Sequence, residues 1–246
     1  MGIDLRYFSI LSKVIKAYPK TAPLDVAFLS YPDLILTPEQ VINEFDFIDK
    51  KEIVYRSDSE EIKRWHDAKH LDQIIETKDL MKKLGCNPIF FDFKKIRGDE
   101  IILDLNLPLE SIHLGRYDLV IDTGTLEHCF NVGVAFENMC KLVKVNGAIL
   151  TAAPVTMVNH GFWSFNPCLY ENYFRHNKFD ILHLSLACGK GNDIKVKNML
   201  DKSQANSRIS VPSQTSIMAV AKRTNHSTYE FPIQEKYRTD QSYLKF

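Results

Sequence analysis

Asp122, Glu127 and His128 crowd one short stretch, "YDLVIDTGTLEHC" (117–129). Apolar, β-favouring residues run into Asp122, and a Thr-Gly-Thr bend separates it from the Leu-Glu-His segment. A carboxylate at a strand end can accept two hydrogen bonds from a diol, and histidine is the usual base near neutral pH. A second histidine, His160, sits in "PVTMVNHGFWSFNP" (154–167) among Asn159, Phe162, Trp163, Phe165 and Asn166. Aromatic walls with a few polar groups suit an acceptor pocket. His160 and His128 are therefore the candidate bases, and Glu127 is suited to orienting a ligand. A structural role stays open for each histidine: His128 can bond a backbone carbonyl, and His160 can hold its loop in shape.

Two further acids end apolar runs. Asp92 closes "NPIFFDF" (87–93), and Asp104 lies in "DEIILDLN" (99–106). With Asp122 they give three successive strands ending in Asp, at the carboxyl ends where open α/β sheets gather ligands. Aspartate also caps turns and helices at such junctions, so one alone decides nothing. Upstream, "YRSDSEEIKRWHDAKH" (55–70) gathers Arg56, Asp58, Trp65, His66 and His70. His66 and His70 share a helical face but lack a third ligand, and no metal is expected. A solvated face is the default there, with Arg56 or Trp65 able to close over a charged ligand. Lys94, Lys95 and Arg97 make a small basic turn, either solvated or meeting a phosphate.

These residues need a scaffold that collects strand ends. Short apolar runs bounded by polar turns predict strands at 24–30, 87–93, 99–106, 117–123, 148–155, 180–189 and 213–224. Helices separate most of the earlier ones. "TPEQVINEF" opens with Thr37 as N-cap, Pro38 at the first position and Gln40 closing a capping box. Residues 57–85 read as mostly helical, ended by Gly85. The helix after Asp122 runs through "NVGVAFENMCKLVKVNG" to a stop at Asn146-Gly147. Another spans 166–179 with Pro167 in its first turn. The last two strands have no helix between them and predict an antiparallel hairpin. The expected fold is α/β, a Rossmann-like, mostly parallel seven-stranded sheet with helices on both faces. It is read as one domain over 1–246, with an N-terminal helical cap at 1–23 and a loop or insertion at 189–212.

Bulk properties narrow the function classes. The chain has 246 residues, 45% of them hydrophobic and 25% charged, enough for a full globular core. Formal net charge is zero, so no basic field points to nucleic acid. No apolar run approaches a membrane span. "MGIDLRYFSILSKVIKAYPK" lacks the features of a secretory signal and reads as an amphipathic helix with Phe8, Leu11, Val14 and Ile15 on one side. Five cysteines without CxxC pairs are expected to be free thiols in the cytoplasm.

The strand ends "FFDF", "LDLN" and "YDLVIDTGTLEHC", followed by the "GAILTAAPV" unit, resemble the class I S-adenosylmethionine-dependent methyltransferase family. The resemblance covers roughly residues 24 to 224 and is strongest from 87 to 165. It implies S-adenosylmethionine as cofactor, with Asp92 on the ribose hydroxyls and Asp104 and Leu105 beside the adenine. Asp122, Thr123 and Glu127 then complete the cofactor site at the fourth strand. The family's Gly-rich first loop is replaced by "AFLSYPDLILT" (27–37), which has no glycine. Ser30, Tyr31 and Asp33 would do its work, Asp33 on the cofactor's amino group. The family's amino-methylating Pro-Pro signature is replaced by "DTGTLE". The resemblance therefore implies methyl transfer to an oxygen of a small-molecule acceptor: a sugar, nucleotide-linked or phosphate-linked precursor of a bacterial surface glycan or capsule. A homodimer is compatible with it. The competing expectation is a binding or regulatory module that keeps the fold without catalysis. A dinucleotide enzyme ranks last, because no GxGxxG occurs.

Overall fold

The computed structural model describes residues 2–19, 21–189, 194–200, 208–225 and 229–238. Backbone contacts divide the chain into two compact units, Met1–Asp104 and Leu105–Phe246.

The first unit opens with strand β1 (Gly2–Ile3) and helix α1 (Leu5–Ala17). Asp4 caps α1 by accepting the Tyr7 N–H at 3.1 Å, and Phe8, Leu11 and Ile15 are buried on one face. Strands β2 (Leu24–Leu29) and β4 (Cys86–Asp92) pair in parallel, Leu29 opposite Phe91. Between them β3 (Asp33–Leu34) pairs with β1. Helix α2 (Pro38–Glu44) carries both bonds of the predicted capping box. The helical span expected over 57–85 is two short helices, α3 (Ser59–Trp65) and α4 (Thr77–Lys83). Asp67 takes a left-handed φ of 49° after α3, and Ile75 bridges to Leu34 and Tyr55 instead of continuing a helix. The strand expected over 99–106 shrinks to β5 (Ile101–Ile102), parallel to β4. Asp99, Glu100, Asp104 and Asn106 disfavour a longer strand, and both isoleucines are exposed.

In the second unit, β6 (Tyr117–Asp122), helix α5 (Val132–Leu142), β7 (Val143–Pro154), helix α6 (Pro167–His176), β8 (Phe179–Cys188), β9 (Lys195–Asn198) and β10 (Ser216–Arg223) follow in order. Spatially the strands run β6-β7-β10-β8-β9. β6 and β7 are parallel, and β10 is antiparallel to both its neighbours, as the C-terminal hairpin pattern requires. Helix α5 ends at Leu142 rather than at Asn146-Gly147, and β7 begins at once. Gly147 is a close-approach residue within that strand: a Cβ there would lie 2.8 Å from the Asp118 carbonyl. The loop expected over 189–212 contains β9, a lysine-bearing edge strand paired with β8; its residues 190–193 and 201–207 lie outside the described residues. Phe136, Phe165 and Tyr170 pack edge to face in the core. The fold is mixed α/β of the Rossmann-like kind. Strands β1, β3 and β9 are additional to the seven expected.

Candidate active site

Parallel pairing of β6 and β7 brings the segments that follow them to one edge of the second unit. The register puts Asp122 opposite Thr151. Asp122 is fully buried. Its Oδ1 accepts the N–H of Thr125 at 2.8 Å and of Gly124 at 3.3 Å, and its Oδ2 accepts the Thr151 hydroxyl at 2.8 Å. These bonds fix the bend, as an Asx turn does. Leu126–His128 then form a single 3₁₀ turn that buries Glu127 and exposes His128. Thr123 is partly exposed on the bend, and Leu105 is buried.

Glu127 has no solvent-exposed surface, and neither carboxylate oxygen has a hydrogen-bond partner among the described residues. His160 Nε2 stands 3.4 Å from Oε1, within ion-pair range but without hydrogen-bond geometry. Two glycines make room for this residue. A Cβ at Gly124, where φ is +99°, would lie 2.9 Å from Oε1. A Cβ at Gly161 would lie 2.8 Å from the Glu127 carbonyl oxygen. That carbonyl accepts the N–H groups of Phe162 at 2.9 Å and Trp163 at 3.3 Å, which ties the His160 loop to the Glu127 turn. The rings of His128 and His160 lie 5.4 Å apart.

Burial pushes the carboxyls of both Asp122 and Glu127 above their ordinary range. Glu127 is pushed further, because the Asp122 charge adds to burial and no side chain donates to it, whereas Asp122 accepts from Gly124, Thr125 and Thr151 among others. Burial, followed by the neighbouring His160, lowers His128. Exposed aromatic rings flank the cluster. Phe130 and Phe162 meet edge to face at 5.6 Å, and Trp163 donates its ring N–H to the Cys129 carbonyl at 3.0 Å. Phe165 and Asn166, counted with this loop from sequence, serve the scaffold instead. Phe165 packs on Phe136, and Asn166 caps α6 through the Leu169 N–H.

In the first unit, Ser30, Tyr31 and Asp33 are all buried. Ser30 adopts φ 111°, a glycine-favouring conformation where the resembled family places glycine. Tyr31 stacks on Phe90 at 4.0 Å and donates its hydroxyl to Glu76. Asp33 pairs with His66 Nε2 at 3.0 Å and Arg97 Nη2 at 3.2 Å. Arg97 also reaches Asp58 at 2.6 Å, and Arg56 grips Asp58 through two bonds of 2.8 Å. The basic turn at Arg97 and the Arg56–His66 segment, two separate features of the sequence, thus form one network around the Gly-free loop. A cavity of about 610 Å³ lined by Tyr31, Arg56, Glu76, Lys78 and Arg97 opens beside it. Asp92 ends β4 half-buried; burial raises its carboxyl, opposed by the backbone N–H groups of Lys94 and Phe93. Asp104 is exposed.

Sequence reasoning marked Gly124 only as part of the Thr-Gly-Thr bend and missed Thr151, Gly161 and Glu76; of these three, Thr151 carries a local signal, a hydroxyl within the apolar run "AILTAAPV".

Neither a known protein family nor a curated protein matches the sequence. Several solved structures are similar to the chain at low identity. TehB from Haemophilus influenzae is 12% identical over 86% of this chain, with a TM-score of 0.46. The match spans 62% of the TehB chain, less than two thirds of its length. Burkholderia thailandensis 1,6-didemethyltoxoflavin-N1-methyltransferase is 10% identical over 90% of this chain and 78% of its own, with a TM-score of 0.47. N-methyltransferase NodS from Bradyrhizobium japonicum WM9 is 8% identical over 89% and 95%, with a TM-score of 0.46. Two of these, the Burkholderia thailandensis and Bradyrhizobium japonicum proteins, are named as methyltransferases.

Proposed function

We propose that the chain is an S-adenosylmethionine-dependent methyltransferase acting on an oxygen of a small molecule. The observation that carries this reading is the Glu127–His128–His160 cluster at the end of β6, beside exposed aromatic rings. The cofactor's sulfonium is already an activated methyl donor, so the protein's tasks are positioning and, for a hydroxyl acceptor, proton removal. His160 is exposed and held 3.4 Å from a buried carboxylate. It is the base in this reading, and Glu127, whose buried carboxyl ionises more readily once a cation forms beside it, stabilises the imidazolium. His128 is the second candidate for the same role. Phe130, Phe162 and Trp163 supply apolar surface for the acceptor. Asp92 receives the ribose diol in this reading. A sugar, nucleotide-linked or phosphate-linked glycan precursor, met in the cytoplasm, is the acceptor class that the sequence resemblance favours.

A second reading, a binding module without catalysis, is favoured by one observation. Asp33, expected on the cofactor's amino group, is already paired with His66 and Arg97.

Calorimetric titration with S-adenosylhomocysteine, with NAD as control, tests the first reading. Micromolar binding that weakens at least about tenfold in Asp92→Ala is the expected result, since a charge-assisted bond contributes about 1.5–3 kcal/mol. A folded protein that binds no S-adenosylhomocysteine would sink it.

A further inference from the structure

We propose that Glu127, His128 and His160 form a binding site for a divalent first-row transition-metal ion of the zinc or manganese class. One carboxylate and two imidazoles are a donor set suited to such ions. The three side chains can each present a ligand atom within 4.8 Å of the other two. One edge already has the right length. Glu127 Oε1 and His160 Nε2 are 3.4 Å apart, and a tetrahedral site with bonds of about 2.1 Å has ligand–ligand edges of roughly 3.4 Å. The remaining closure falls to exposed rings, which can turn on their own side-chain torsions.

The second observation is the carboxylate itself. Glu127 is fully buried, and both of its oxygens lack a hydrogen bond among the described residues. Buried carboxylates are ordinarily paired, hydrogen-bonded or bound to metal. Asp122, its acidic neighbour, shows the ordinary solution, accepting from Gly124, Thr125 and Thr151. Glu127 has space kept for it by Gly124 and Gly161, and its backbone is pinned by Phe162 and Trp163. A cation would supply the missing partner. Burial of Glu127 and exposure of both histidines place the ion at the surface of the unit, with three protein ligands and an open position. That is the arrangement of a catalytic metal site rather than a structural one.

The site stands on this geometry and does not need the methyltransferase reading. If both hold, the imidazoles are ligands rather than bases, and an acceptor oxygen can take the open position.

The test uses the full chain, stripped with a chelator and dialysed. It is titrated with Zn²⁺ and Mn²⁺ by calorimetry and loaded with Co²⁺ for visible spectroscopy. One equivalent of Zn²⁺, bound more tightly than Mn²⁺, is expected, with d–d bands from Co²⁺. His160→Ala, His128→Ala and Glu127→Gln should each weaken Zn²⁺ by more than the roughly 10–100-fold that loss of a supporting outer-layer residue gives. His70→Ala, at an exposed histidine in the other unit, should leave binding unchanged. If Glu127→Gln does not fold, the two exposed-histidine variants decide. No stoichiometric Zn²⁺ binding, or binding equal in wild type and both histidine variants, overturns the proposal. Titrating the same metal-free samples with S-adenosylhomocysteine separates the two ideas, because each binding event is read without the other ligand.

Discussion

Three hydrogen bonds converge on Asp122 from a position without solvent access. Removing the side chain strands two backbone N–H groups and the Thr151 hydroxyl inside the unit. Asp122→Ala is therefore expected to destabilise the protein by about 3 kcal/mol. Thr151→Val removes only one donor and should lose about 1 kcal/mol. Asp122→Asn keeps an acceptor oxygen and offers an amide N–H to the Thr151 oxygen, so it should fall nearer to Thr151→Val. Urea unfolding of the three variants checks the order, and an Asn variant as weak as the Ala variant would contradict this account. Phe162 and Trp163 carry a different expectation. Both are substantially exposed, so Phe162→Ala should alter acceptor KM far more than stability. A melting temperature that drops by several degrees with unchanged KM would assign the ring to the fold instead.

Among the elements, the segment from β2 to β5 is tied together by charge. Arg56 is buried, and its two bonds to Asp58 link the start of α3 to the chain before it. Asp58 also receives Arg97, so one carboxylate holds two separate loops. The Arg56 hydrogen bonds, then the Arg56 and Arg97 charges, hold the Asp58 carboxyl below its ordinary 3.8. A folded value below the unfolded one means that ionised Asp58 favours the folded state. That contribution is complete well above pH 3.8 and is lost as pH falls through the lower, folded value. Asp58→Asn should cost about 2 kcal/mol at neutral pH and flatten the acid limb of the stability curve below about pH 4. Chemical denaturation across that window measures it; parallel wild-type and variant curves there would show that Asp58 is not the titrating group. Asp58 immediately precedes α3, yet its side chain makes no cap bond there and pairs with the two arginines instead. Thr37 and Gln40 form the capping box read from sequence.

Across the whole chain, 31 acidic and 31 basic residues cancel. No helix among the described residues is long and apolar enough to cross a membrane. Long-range attraction to a polyanion is then weak, and short-range contacts must carry recognition. The protein is expected to leave a heparin column by about 0.15 M salt, where exposed charges beyond about 8 Å are screened. Retention beyond about 0.5 M would reveal a basic face that the net charge conceals and would revive a nucleic-acid partner.

Short-range physics fixed what the sequence by itself could determine. Apolar runs place β2, β4, β6, β7, β8 and β10, an apolar face places α1, and first-turn signals place α2 and α6, because each depends on residues a few positions apart. The types in "TGTLEHC" and "NHGFWSFNP" likewise mark a centre of acid and imidazole. Tertiary structure alone decided how these parts meet. Asp122 finds Thr151 only through the β6–β7 register, and a slip of one residue would turn Thr151 to the other face. Glu127 meets His160 because its carbonyl captures the Phe162 and Trp163 N–H groups. Asp33 looks free in "SYPDL", yet His66 and Arg97 return to it from distant parts of the first unit. Such partners are chosen by backbone pairing and burial between segments remote in the chain, which no local pattern encodes.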